Sequence, residues 1–110
     1  MMLPNADRTR IDRGKVVDYL LSRTHPDGRS KAEFFARFGF RVEDWQLLAD
    51  ALKAVGISNP VAGVVQSSHG TRYTVDGPIN TPDGRTPRVR TVWIVELGQP
   101  GPRLITAYPL

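Results

Sequence analysis

At Asn59-Pro60 the hydrophobic pattern of the chain changes period, and this switch limits the possible folds more than any other feature. Upstream, apolar residues recur at helical spacing. Val16, Val17, Tyr19, Leu20 and Leu21 form one stripe; Ala32, Phe34, Phe35 and Phe38 a second; Trp45, Leu48, Ala51, Leu52 and Val55 a third. Downstream, the pattern alternates residue by residue, most clearly over Val89–Leu97. A segment with one period does not pack well in the other state. The chain therefore reads as a helical half over about 1–58 and a sheet half over about 61–110.

Local signals set the expected boundaries. Asp12 is placed to cap the first helix, and Pro26-Asp27-Gly28 interrupts the chain after it. Ser30 with Glu33 predicts a capping box opening the second helix, and Gly39 ends it. The third helix begins near Glu43 or Asp44, where acidic residues suit the helix dipole, and stops at Gly56. The strand candidates are Val61–Gln66 (the weakest), Thr71–Ile79, Val89–Leu97 and Arg103–Tyr108. Thr81-Pro82-Asp83-Gly84-Arg85 and Gly98-Gln99-Pro100-Gly101-Pro102 are turn signals. Such short links favour an antiparallel meander. The expected class is α+β, with about three N-terminal helices packed on one face of a roughly four-stranded antiparallel sheet. With 110 residues, the chain is expected to form a single domain, 1–110, with one modest core. The uncovered sheet face is either a platform for an extended polyanion or simply solvated.

Composition removes several chemistries. Without cysteine there are no disulfides, thiol nucleophiles or cysteine–zinc sites. His25 and His69 are the only histidines, so a three-histidine metal site is impossible, and neither metal nor cofactor is expected. No apolar run approaches the roughly 18 residues that span a bilayer, so no membrane partner is expected. Met1-Met2-Leu3-Pro4-Asn5-Ala6-Asp7-Arg8 lacks the apolar stretch of a signal peptide, which suggests the cytoplasm. The formal charge is +4, and twelve of the fifteen basic residues are Arg. Arg suits phosphate through its planar donor fork, although a high-GC genome also favours it. The charge points to an acidic partner: RNA, DNA or an acidic inhibitor protein.

A few residues carry possible chemistry. His25 lies in a turn-rich loop beside Arg23, Arg29 and Lys31, cations that would favour the neutral imidazole a general base needs; otherwise it is a loop histidine whose ring caps a turn. Lys31, at a helix start, is electrostatically misplaced unless it faces an anion or Asp27; otherwise it is a surface lysine. Thr106 and Tyr108 share one face of the last strand, with Ile105 and Ala107 toward the helices. They could hold a phosphate or stack on a base, or form a polar outer face. Of Arg90 and Thr91, only one can join them. Arg72, Arg85 and Arg88 are either phosphate clamps or edge charges that discourage aggregation. His69 reads as structural, and the tryptophans and phenylalanines as core.

The segments His25-Pro26-Asp27-Gly28-Arg29-Ser30-Lys31-Ala32-Glu33-Phe34-Phe35, Thr91-Val92-Trp93 and Leu104-Ile105-Thr106-Ala107-Tyr108-Pro109, with the opening Leu3-Pro4-Asn5-Ala6, resemble an uncharacterised bacterial domain family. The resemblance covers essentially the whole chain. Its members occur alone or at the C-termini of large secreted polymorphic toxins, so secretion within a larger toxin system is the other expected location. Helices followed by a sheet closing on Thr-Ala-Tyr-Pro are similar to the barnase–EndoU–colicin–RelE-like ribonuclease fold. The resemblance implies a metal-independent endoribonuclease acting through a 2′,3′-cyclic phosphate. In it His25 is general base or acid, and Lys31 with Arg72 or Arg85 stabilises the phosphorane. Thr106 and Tyr108 hold the phosphate or orient the leaving group. Arg29, Arg72, Arg90 and Thr91 are the expected substrate contacts. The chain departs from the pattern by lacking a second partner histidine and a glutamate base, so a tyrosine or lysine must serve. An acidic immunity or antitoxin protein is the implied protein partner. The competing reading is a non-catalytic basic binding module for RNA or a partner protein.

Overall fold

Four strands occupy the C-terminal half: β1 (Val61–Ser67), β2 (Gly70–Pro78), β3 (Arg88–Glu96) and β4 (Arg103–Pro109). They form one antiparallel sheet in the order β1-β2-β3-β4 in the computed structural model, which describes residues 1–110. Each strand pairs with its sequence neighbour, as links too short for a crossover require. The weakly alternating segment at 61 pairs with β2 through Val61↔Val75, with a register shift before Gly63↔Thr74.

The expected fold class needs correction in its helical part. Two regular α-helices are present, α2 (Arg29–Arg37) and α3 (Trp45–Ser58). The first helix is not a regular one. A single turn, α1 (Arg13–Lys15), passes into a π-helical turn over Val16–Leu20. The Leu21 amide there donates to the Val16 carbonyl at 2.8 Å, five residues back. This wider turn lets Val16, Leu20 and Leu21 all reach the core while Tyr19 stays half-buried. Short 3₁₀ turns at Ala6–Arg8 and Val42–Asp44 complete the helical half.

Two boundary expectations also change. Ser30 and Glu33 form no capping box; α2 begins at Arg29 after Gly28, and Glu33 lies 3.4 Å from Arg29 instead. Nor does Gly56 end α3, which runs on to Ser58. Gly56 is glycine because a Cβ there would lie 2.5 Å from Cζ2 of Trp93. There α3 packs directly on Trp93 of β3.

The core lies between the helices and the inner sheet face. Val75, Val89, Trp93, Leu104 and Ala107 from the sheet meet Val16, Leu20, Phe35, Leu48 and Leu52, all fully buried. α3 lies against β2 and β3, and α1 and α2 against β4. The buried Trp93 indole donates to the Thr91 hydroxyl at 2.8 Å, which donates to the Val75 carbonyl at 2.8 Å. A buried N–H needs such a partner.

β4 carries a bulge. Val92 faces Thr106 and Trp93 faces Leu104, leaving Ile105 without an opposite residue. The extra residue turns Ile105 outward, so Leu104 and Ala107 are the core residues of this strand. That corrects the expected inward direction of Ile105. No helix is long and apolar enough to cross a membrane.

Candidate functional site

The seam between the first helical segment and β4 gathers the most chemistry. Tyr19 is at its centre. Its hydroxyl lies 3.0 Å from Thr106 Oγ1, a contact between residues 87 apart in sequence. The His25 ring meets the Tyr19 ring edge-on, with centroids 4.9 Å apart and planes at 77°. Lys15 Nζ lies 5.0 Å and Lys31 Nζ 5.4 Å from the centre of the same ring. Neither lysine has a carboxylate within ion-pair distance; Lys31 donates only to the Asp27 carbonyl, at 2.9 Å. The seam therefore holds two uncompensated cations, an imidazole, a phenol and an alcohol.

The local sequence explains how these groups are held. Nδ1 of His25 accepts the amides of Asp27 at 3.0 Å and Gly28 at 3.1 Å. An acceptor of two N–H bonds carries no proton, so the network assigns the neutral tautomer with the proton on Nε2. The ring caps the turn that launches α2, which is why Ser30 is not needed as a cap. Gly28 is buried against the Tyr19 carbonyl, and any Cβ there would collide with that backbone. The His25 loop and the π turn are thus locked together.

The outer sheet face holds a second group. Gly63, Val65, Arg72, Thr74, Val92 and Ile105, with Thr106 and Tyr108, line a groove of about 350 Å³. Arg72 is exposed and has no ion-pair partner. Arg90 shares this side of β3, its fork held by Asp76 at 2.8 and 2.9 Å. That pair lowers the Asp76 pKa and raises that of Arg90, with the Tyr108 phenol adding to the second shift. Thr106 belongs both to this groove and to the Tyr19 seam.

The remaining expected residues lie apart. Thr91 is fully buried in the Trp93–Val75 relay, so of the pair Arg90 and Thr91 it is Arg90 that shares the outer side. Arg85 sits beyond the C-terminal end of α2, stacked 4.3 Å from the Phe38 ring and bonded to Asp83 at 2.7 Å and the Arg37 carbonyl at 3.1 Å. It holds the Asp83 carboxyl down at about 2. Arg29 is exposed and faces Glu33. A larger surface hollow, about 400 Å³ between Leu21, Ala32, Phe40 and Arg41, contains none of these residues.

His25, Lys31 and Thr106 are therefore brought together, whereas Tyr108, Arg72 and Arg90 lie round the strand edge from them. The sequence pattern does not single out Tyr19 and Lys15, because Tyr19 reads as part of an apolar stripe. The available signal was the Lys15–Tyr19 spacing of four residues, which puts both on one helical face. No three or more His, Cys, Asp or Glu side chains converge in a way that could hold a metal ion.

A sequence model of the DUF6883 family, a domain of unknown function, matches residues 2–110. The chain belongs to this family. No curated protein matches this DUF6883 chain. Its fold is shared with a chain of the contact-dependent growth inhibition toxin–immunity protein complex from Klebsiella pneumoniae 342. The two superpose with a TM-score of 0.72 at 18% identity, over 94% of this chain and 95% of that one. At that identity the likeness is one of fold.

Proposed function

We propose that this DUF6883 domain is a toxin-like endoribonuclease that cleaves RNA without a metal. The observation that carries the reading is the Tyr19 seam, where two lysines without carboxylate partners flank a phenol, an imidazole and Thr106. Such a site suits a phosphodiester, and it has the groups to move protons on one. The shared fold with a chain of a growth-inhibition toxin–immunity complex supports the toxin setting, with an acidic immunity-type protein as the natural inhibitor of a +4 domain.

In this reading the substrate 2′-oxygen attacks the adjacent phosphorus as the bond to the 5′-oxygen breaks. The products are a 2′,3′-cyclic phosphate and a 5′-hydroxyl. Tyr19 serves as the general base that takes the 2′-hydroxyl proton. The Lys31 ammonium gives a proton to the departing 5′-oxygen. Lys15, the Nε2–H of His25 and the Thr106 hydroxyl stabilise the phosphorane charge. His25 acts as a donor because its other nitrogen is occupied by the turn amides.

One observation favours a second reading. The His25 ring already has a structural task, as a non-catalytic binding module would require. Digestion of total bacterial RNA in EDTA separates the two. Cyclic-phosphate ends from the wild type, lost in Tyr19→Phe and Lys31→Ala, support the nuclease. Salt-sensitive RNA binding without any cleavage supports the binding module.

A further inference from the structure

The groove on the outer sheet face is not used by the chemistry at the seam, yet Thr106 joins the two. Its floor is apolar, from Val65, Val92 and Ile105. The polar residues Thr74, Thr106 and Tyr108 and Arg72, which has no ion-pair partner, surround that floor. No acidic side chain lines it. The floor depends on two local features. The β4 bulge turns Ile105 outward. Gly63 leaves room where a Cβ would lie 2.8 Å from Thr74 Oγ1. A volume of about 350 Å³ lies within the roughly 300–1,000 Å³ typical of small-molecule sites.

We infer that this groove is a nucleobase subsite, which seats the base of a nucleotide whose phosphate lies across Thr106 at the Tyr19 seam. This rests on the ribonuclease reading for the role of that phosphate. The chemistry of the groove argues for a base independently. A flat ring needs an apolar floor, its edge needs hydroxyl donors and acceptors, and the attached phosphate needs the absence of carboxylates. A bare phosphate would have no use for Val92 and Ile105. An apolar peptide side chain would leave the Arg72 guanidinium without a partner. The Tyr108 ring at the rim offers a stacking surface, and Arg90 beside it is fixed by Asp76.

The test is binding of nucleoside 3′-monophosphates, compared with inorganic phosphate and with the free nucleosides, followed by backbone amide shifts of the intact protein. Wild type should bind a nucleotide about tenfold or more tighter than phosphate, with shifts in residues 63–65, 72–74, 92 and 105–108. Val92→Glu should reduce nucleotide affinity to that of phosphate. Val65→Glu, at a position 63% exposed and therefore tolerant of a charge, should weaken binding even if Val92→Glu fails to fold. Equal affinity for nucleotide and phosphate, or nucleotide binding unchanged in the folded groove variants, overturns the subsite. RNA cleavage is scored separately. If cleavage persists with an unaltered base preference in Val65→Glu, the groove is wrong and the nuclease stands. If nucleotides bind as expected but RNA is never cut, the nuclease is wrong and the base site stands.

Discussion

Tyr19→Phe removes one oxygen from the seam and should separate a catalytic role from a structural one. The ring stays, and with it the edge contact to His25 and the two lysine contacts, all of which use the ring. Only the 3.0 Å hydrogen bond to Thr106 is lost. A typical bond of this kind contributes about 0.5–1.5 kcal/mol. Thr106 is half-exposed and can turn to water, so the lower part of that range applies. The expected loss is about 1 kcal/mol or less, or roughly 4–6 °C in Tm. A domain with roughly 5–15 kcal/mol of stability stays folded at 25 °C after such a change. Removing a proton-transfer group should instead lower the cleavage rate by about 10²–10⁴. Urea unfolding and RNA cleavage in EDTA, measured on the same preparation, give both numbers. Thr106→Val breaks the same bond and keeps the phenol, so its stability loss should match that of Tyr19→Phe while its cleavage falls less, by the share of the Thr106 hydroxyl alone. Cleavage by Tyr19→Phe at the wild-type rate would refute the role assigned to Tyr19, whatever the stability result.

Three further outcomes are expected. His25→Ala should destabilise by about 1–2 kcal/mol because two turn amides lose their acceptor, whereas His25→Asp, whose carboxylate can accept both, should recover stability without recovering cleavage; paired unfolding and activity assays check this. The Asp76 and Asp83 carboxyls are held below their ordinary pKa by Arg90 and Arg85, so their contribution is full above the ordinary carboxylate range and drains away as pH falls below it, for Asp83 through about 2. The urea midpoint should fall across that window, less steeply in Asp76→Asn. Gly56→Ala gains about 1 kcal/mol of helix propensity but forces a methyl into Trp93, so a net loss of roughly 1–2 kcal/mol should appear in thermal unfolding; a stabilised variant would show that Trp93 yields freely.

What the sequence revealed follows the range of the forces involved. Strand positions, their short links and the Pro-Gly turns depend on neighbours a few residues away, and all were readable in the pattern after Pro60. The π turn was not. It arises because Val16, Leu20 and Leu21 all reach a core built largely from residues in the other half of the chain. Gly56 looked like a stop because glycine commonly follows a helix; its real reason is an indole that approaches from 37 positions further along. Alternation puts Ile105 on the inner side because it assumes an unbroken register, and the β4 bulge breaks it. At the site, His25 and Lys31 stood out as polar residues in a loop, while Tyr19 was hidden among the apolar residues of its stripe.

Two of these departures meet at one place. The π turn presents Tyr19, the β4 bulge lies immediately before Thr106, and their side chains meet at 3.0 Å. Both irregularities sacrifice regular backbone hydrogen bonding, and the single half-exposed bond between Tyr19 and Thr106 is too weak to compensate. The core packing of Val16, Leu20 and Leu21 and of Leu104 and Ala107 offsets that loss, and the same irregular backbone sets the two side chains against each other. Elsewhere the sheet keeps register over all of β2 and β3, and α3 runs without interruption for 14 residues. The β1–β2 register shift and the short 3₁₀ turns are irregular too, but here irregular backbone coincides with an imidazole, two unpaired lysines, a phenol and a threonine, as expected where local order is given up for side-chain placement. On that argument, replacing Gly28 with alanine is the sharpest structural test. Its methyl would strike the Tyr19 carbonyl and part the His25 loop from the π turn. The expected result is a folded but less stable protein, with stability lowered by about 1–3 kcal/mol, whose RNA cleavage falls much further than that loss accounts for. If activity instead tracks only the folded fraction, the alignment of these two segments does not matter to function.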